Sequence, residues 1–114
     1  MKIHQIEGMR AEYALSTYGQ TVIRVYFQFT NQSSSSTSFY MTSYVEAYQN
    51  GIALYEVDPT EVTAEDQNYK ASIQPGETIV CSMCFGLIDL ETPIEIELQD
   101  IFDAERNLGT IYYQ

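Results

Sequence analysis

Thr21-Val22-Ile23-Arg24-Val25-Tyr26-Phe27-Gln28-Phe29-Thr30 is the stretch on which the fold turns. Ile23, Val25, Phe27 and Phe29 fall on one side of an extended chain, and Arg24, Tyr26 and Gln28 on the other. A period of two marks a β-strand with one face on a core. The other face is expected to meet water or a partner. Asn31-Gln32-Ser33-Ser34-Ser35-Ser36-Thr37-Ser38 follows, too polar to bury, and reads as a variable surface loop. Asn31-Gln32-Ser33 matches an N-glycosylation acceptor, a match that chance explains better than modification.

The same alternation extends outward in both directions. Phe39 to Gln49 reads as the next strand, with Phe39, Met41, Val45 and Ala47 on one side. Tyr40, Thr42, Tyr44, Glu46 and Tyr48 take the other. Asn50-Gly51 supplies the two positive-φ positions of a type I′ hairpin turn, and the chain returns through Ile52 to Tyr55. Asp58-Pro59-Thr60-Glu61 has the pattern of a helix start, with Asp58 as N-cap, Pro59 at the first position and Glu61 closing a capping box. At most one short helical turn is expected, near 59–67. Lys70 to Gln74 is a short strand ended by Pro75-Gly76, and Thr78 to about Leu87 is another. Ile94, Ile96 and Leu98 alternate with Glu95, Glu97 and Gln99 in a half-buried strand with an acidic outer face. Asn107-Leu108-Gly109 turns into a last strand over 110–113, and an opening strand lies somewhere within 3–13. Seven or eight short strands with neither repeat nor linker predict an all-β protein, a single antiparallel β-sandwich domain over 1–114.

Three stretches carry a family resemblance: Val25-Tyr26-Phe27-Gln28-Phe29-Thr30-Asn31, Ala47-Tyr48-Gln49-Asn50-Gly51-Ile52-Ala53-Leu54 and Ile73-Gln74-Pro75-Gly76-Glu77-Thr78. Pro93-Ile94-Glu95-Ile96-Glu97-Leu98 with Asp100-Ile101-Phe102-Asp103 completes it. Together they resemble the small immunoglobulin-like domains of unknown function in lipoproteins and surface proteins of Gram-positive bacteria. Those domains are in turn similar in fold to a mycobacterial secreted antigen. The resemblance covers about 22–103 and implies an extracytoplasmic immunoglobulin-like sandwich, usually anchored through an N-terminal lipid. It brings no catalytic residues. The chain departs from the pattern in showing no leader or lipid-attachment cysteine.

Composition narrows the function classes. The 114 residues are 45% hydrophobic, too apolar for a disordered acidic tail. No apolar run approaches the ~20 residues of a membrane helix, so no transmembrane segment is expected. Five Lys+Arg against sixteen Asp+Glu leave a net charge of −11, which disfavours nucleic-acid partners. The acid is uneven. Twelve of the sixteen acidic residues lie from Asp58 onward, with only Lys70 and Arg106 beside them. Solvation explains this most simply, and a binding surface is the sharper reading. Met1-Lys2-Ile3-His4-Gln5-Ile6-Glu7 has neither an apolar h-region nor a cleavage site, so no signal peptide is expected in these residues.

Catalytic constellations are missing. A Ser–His–acid arrangement would have to use His4, the one histidine, and no nucleophile motif accompanies it. Cys81 and Cys84 sit three strand steps apart, about 10 Å, and on opposite faces, beyond the ~7 Å reach of a disulfide. They read as small buried hydrophobes. No cofactor is expected, and enzyme is the least favoured class.

Two candidate binding sites remain. Tyr40, Tyr44 and Tyr48 would stand on one strand face, adjacent rings about 13 Å apart, presenting apolar area with hydroxyl groups to a protein or a sugar. Ordinary cross-strand packing is the competing explanation. Asp58, Glu61, Glu65 and Asp66 cluster in one connection, Asp89 with Glu91 in a second, and Asp100, Asp103 and Glu105 in a third. Calcium wants several converging carboxylate oxygens, yet no loop has its ligand spacing. The leading expectation is a non-catalytic interaction module of the cell envelope or secreted space, for a protein or another envelope component. The alternatives are a small-ligand binder, for carbohydrate on the tyrosine face or calcium in the acidic loops, and a structural spacer. A weak homodimer through edge strands is also compatible.

Overall fold

The computed structural model describes residues 4–100 and 107–113, with side chains over 10–98. Seven strands form two antiparallel sheets. One sheet has the order β1-β2-β5, from β1 (His4–Leu15), β2 (Thr21–Asn31) and β5 (Thr78–Gly86). The other has the order β4-β3-β6-β7, from β3 (Ser43–Gln49), β4 (Ile52–Ala53), β6 (Ile94–Asp100) and β7 (Asn107–Tyr113). Because β4 is a two-residue stub, six strands carry the architecture among the described residues, fewer than the seven or eight expected. Asn50 at φ 51° and Gly51 at φ 78° make the expected hairpin between β3 and β4, but only Tyr48 and Gln49 pair across it.

The core forms where the two inner faces meet. Ile23, Val25, Phe27 and Phe29 of β2 project inward as their alternation requires, joined by Cys81, Met83 and Phe85 of β5. Ala47 of β3 and Ile94, Ile96 and Leu98 of β6 close it from the other side. Phe39 plugs one end, stacked on Phe27 at 5.1 Å between ring centroids and edge-on to Phe29 at 6.0 Å.

Phe39 departs from expectation. Instead of opening the next strand it begins a helical turn, α1 (Phe39–Thr42), capped by the Ser38 side chain, which accepts from the Met41 N–H. The Thr42 hydroxyl donates back to the Ser38 carbonyl at 2.9 Å. β3 therefore starts only at Ser43.

Helix α2 (Ala64–Asn68) is also displaced from its expected place. Its N-cap is Thr63, in a capping box with Asp66, rather than Asp58 with Glu61. Pro59 instead bridges to Ser16, and the expected strand near Lys70 to Gln74 is reduced to one bridge between Thr37 and Ile73. These shifts share a cause. The segment from Tyr55 to Lys70 lies across the outer face and free edge of the β1-β2-β5 sheet. Val57 N–H donates to Cys84 O, Gly86 N–H to Tyr55 O, and the Asn68 side chain to Val80 O, each at 2.9 Å. The edge of β5 is thereby covered. The outer face of β2, expected to meet water or a partner, is buried too: Val22, Arg24 and Tyr26 are each 5% exposed or less.

Candidate functional site

Two groups of chemistry-bearing side chains form along this covering segment. The first lies beneath α2. Arg24, 6% exposed at its side chain, donates from Nε and Nη2 to the two Asp66 oxygens at 3.1 and 2.9 Å. Its Nη2 also reaches the Glu61 carbonyl at 2.8 Å, and Nη1 reaches Glu12 at 3.3 Å. Asp66 accepts further from the Ser82 hydroxyl and the Thr63 N–H. Desolvation pushes the Asp66 carboxyl up, but the hydrogen bonds from Arg24, Ser82 and Thr63 outweigh it and hold it below its ordinary value. Desolvation acts against the Arg24 charge as well, and Asp66 and Glu12 more than compensate. Every donor and acceptor here has its partner. The cluster fastens α2 to the sheet.

The second group surrounds a cleft of about 520 Å³ at the β1–β2 turn. That turn is tight: Ser16 Oγ accepts from the Tyr18 and Gln20 N–H groups at 3.2 Å each, with Gly19 at φ 79°. Tyr18 stands at its tip, 91% exposed. Thr17 N–H donates to the Asp58 carbonyl at 3.3 Å, which ties the turn to the covering segment. On the other wall, Tyr40 N–H bonds to Tyr69 O at 3.0 Å, and the two rings meet edge to face at 5.5 Å. The Lys70 ammonium sits 4.9 Å from the centre of the Tyr40 ring. Val22 and Val57 supply the apolar lining, and Glu56 and Asp58 the charge. Desolvation, with the Asp58 charge beside it, raises the Glu56 carboxyl above its ordinary value, and Lys70 only partly opposes this. Burial, aided by Glu56, pushes the Tyr69 phenol up to about 12. A smaller cavity of about 270 Å³ shares Glu56, Asp58, Tyr69 and Lys70 and runs on beneath α2.

The sequence-expected residues are thus redistributed. Tyr40 leaves the tyrosine row because α1 turns it away from β3, toward the cleft. Tyr44 and Tyr48 do share the outer face of β3, where their hydroxyls donate to the two carboxylate oxygens of Glu46 between them. Asp58 joins Tyr40 in the cleft, whereas Asp66 is the ion-pair partner of Arg24. The helix cap assigned to Asp58 and Glu61 is absent. Among the described residues, no three His, Cys, Asp or Glu side chains converge as they would around a metal, so Asp58, Glu61, Glu65 and Asp66 are not gathered at one point. The Asp89 carboxylate accepts from Glu91 and Thr92 within its own turn. Asp103 and Glu105 lie outside the described residues, as do the side chains of His4 and Asp100. Tyr18, Glu56 and Tyr69 carried no signal in the sequence, because none belongs to a periodic run, and Lys70 stood only at the head of an expected strand.

Two further readings meet direct tests. Cys81 and Cys84 are free thiols, buried on opposite faces of β5, and desolvation raises them to about 12 and about 11. Thiols so raised are poor nucleophiles. Asn31, placed in a solvated loop by its composition, is fully buried. Its Nδ2 donates to the Ser35 and Ile73 carbonyls at 2.8 and 3.1 Å, and its Oδ1 accepts from Ser33. In the folded domain its amide nitrogen is closed to glycosylation, and the loop is pinned at its base rather than free.

The fold and cleft define an all-β sandwich with an aromatic, acid-lined surface depression. The chain matches the domain of unknown function DUF5067 over residues 2–100, and it belongs to that family. It is similar in fold to the crystal structure of a putative lipoprotein, YcdA, of Bacillus subtilis. The TM-score is 0.64 at 16% identity, over 97% of this chain and 35% of that one, so this chain spans about a third of that protein's length. No curated protein matches the sequence. Among the described residues no helix is long and apolar enough to cross a membrane.

Proposed function

We propose that the chain is a non-catalytic recognition domain of the bacterial cell envelope or secreted space, with an immunoglobulin-like strand plan. The convergence of Tyr18, Tyr40 and Tyr69 with two unpaired carboxylates on one cleft carries the recognition reading. Aromatic rings that offer apolar area and polar tips at a depression are the usual furniture of binding sites. The strand orders β1-β2-β5 and β4-β3-β6-β7 support the immunoglobulin-like plan, since they correspond to A-B-E facing C′-C-F-G. Likeness in fold to a putative lipoprotein supports the compartment. The non-catalytic reading draws on the two buried, high-pKa thiols and on a basic side chain, Arg24, fully engaged in structural bonds.

A protein partner or another envelope component remains the leading occupant, with a small ligand in the cleft as the second reading. Weak self-pairing would use the outer edge of β3, where among the described residues Tyr44 to Glu46 have no strand on the β4 side. Protease treatment of intact native cells tests the compartment. The domain should be digested while a cytoplasmic marker survives, and protection until lysis overturns the assignment.

A further inference from the structure

We propose that the cleft binds the ammonium group of an organic cation, held against the rings of Tyr18 and Tyr40 and between the carboxylates of Glu56 and Asp58. This deepens the recognition reading and rests on the cleft being its site. Three observations lead to that chemistry. The molecule already places one ammonium there: Lys70 lies 4.9 Å from the Tyr40 ring centre, so the ring face demonstrably accepts a cation in this setting. Glu56 and Asp58 have no hydrogen bond or ion pair through their carboxylates among the described residues, and the Asp58 charge disfavours that of Glu56. An incoming cation relieves that repulsion. Finally, the apolar part of the lining, with Val22 and Val57 beside the rings, suits alkyl groups around a positive centre.

Competing ligand classes fit less well. A hard divalent ion would need six or more oxygens, and no three acidic groups converge here. A neutral sugar could hydrogen-bond to the Glu56 and Asp58 carboxylates but would leave the Asp58 charge beside Glu56 uncompensated. Ser16 Oγ, the most enclosed polar group of the lining, is already committed to two backbone N–H groups.

The test is an NMR titration of tyrosine-labelled protein at constant ionic strength with two cations, a neutral isostere and methyl glucoside. Tetramethylammonium stands for a free quaternary ligand, and n-butylammonium for a lysine-like amine on a partner. The neutral carbon isostere of choline, 3,3-dimethylbutanol, is the control. Saturable shifts at Tyr18 and Tyr40 are expected with at least one cation, and the preferred cation identifies the source. The neutral isostere should bind about tenfold more weakly or not at all. Asp58→Asn and Tyr40→Ala should each weaken the cation several-fold. Lys70→Met, which removes the resident ammonium from the Tyr40 face and keeps the apolar stem, should tighten it. This last variant alters an exposed residue, so it remains informative if Tyr40→Ala unfolds. Equal binding of the isostere, no shift with either cation, or weaker binding in Lys70→Met overturns the proposal. Saturable shifts with methyl glucoside in place of the cations would overturn it too, while leaving the cleft a binding site.

Discussion

Asp66 and Asp58 belong to the same acidic connection, eight residues apart, yet they end in opposite circumstances. Asp66 is 10% exposed at its side chain and fully matched by Arg24, Ser82 and Thr63. Asp58 lines an open cleft beside Glu56 with no partner for its carboxylate. Burying a charge is tolerable only with its hydrogen bonds complete, whereas a solvated charge tolerates vacancy. The matched region therefore serves the fold. The unmatched one is free to serve a ligand.

The largest expected effect breaks the matched side. Arg24→Met leaves Asp66 buried against a sheet without its cation and should cost about 3–5 kcal/mol, the usual penalty for orphaning a buried partner. In a domain of this size the melting temperature should fall by roughly ten degrees or more. Arg24→Met combined with Asp66→Asn should recover part of that loss. A fall smaller than about 1 kcal/mol in urea unfolding would show that the pair holds nothing.

Next comes acid. The Asp66 carboxyl is held below 3.8, so its contribution is complete above the unfolded value and disappears as pH falls through the folded one. Asp66→Asn should cost about 1–3 kcal/mol at neutral pH and flatten the loss of stability below about pH 4. An unchanged acid limb in that variant would locate the titration elsewhere.

Glu56 runs with the opposite sign. Because the folded protein raises its carboxyl above 4.5, Glu56 disfavours the fold at neutral pH, and stability rises as pH falls through the folded value toward 4.5. Glu56→Gln should stabilise by a few tenths of a kcal/mol at pH 7, a small gain because solvent screens the site. The gain should vanish near pH 4. A destabilised Glu56→Gln would mean that the carboxylate has a structural task after all. Smallest of all is Asp58→Asn, expected within about 0.5 kcal/mol of the parent, since no bond depends on that carboxylate. A larger loss erases the contrast with Asp66.

Much of the sandwich was legible in residues taken one strand at a time. The alternation in β2, the Asn50-Gly51 turn and the Ile94/Ile96/Leu98 face all appear where their periods and turn chemistry place them. The first helical turn was not, and the second was expected but with its start and cap misplaced. Phe39-Tyr40-Met41-Thr42 is made of good strand formers, and the Ser38 cap together with the seat of Phe39 against Phe27 and Phe29 overrides that propensity. Asp58-x-x-Glu61 and Thr63-x-x-Asp66 both carry the capping pattern, and the one local signal, Pro59, favours the first. The choice follows from Arg24, 42 residues earlier, which draws Asp66 to the sheet.

The cleft was legible only in fragments. Tyr40 and Asp58 stood out, but in two separate sites, and Glu56 and Tyr69 lay in no periodic run. By itself the sequence determined what short-range rules govern: strand periods, the inward set of apolar residues and the hairpin turn, together with the net charge of −11. The tertiary structure alone decided which acids are neutralised and which remain open. Burial and pairing are properties of neighbours, and here the neighbours come from the β1–β2 turn, α1 and the connection before β5, which meet only when the chain folds over the outer face of its first sheet.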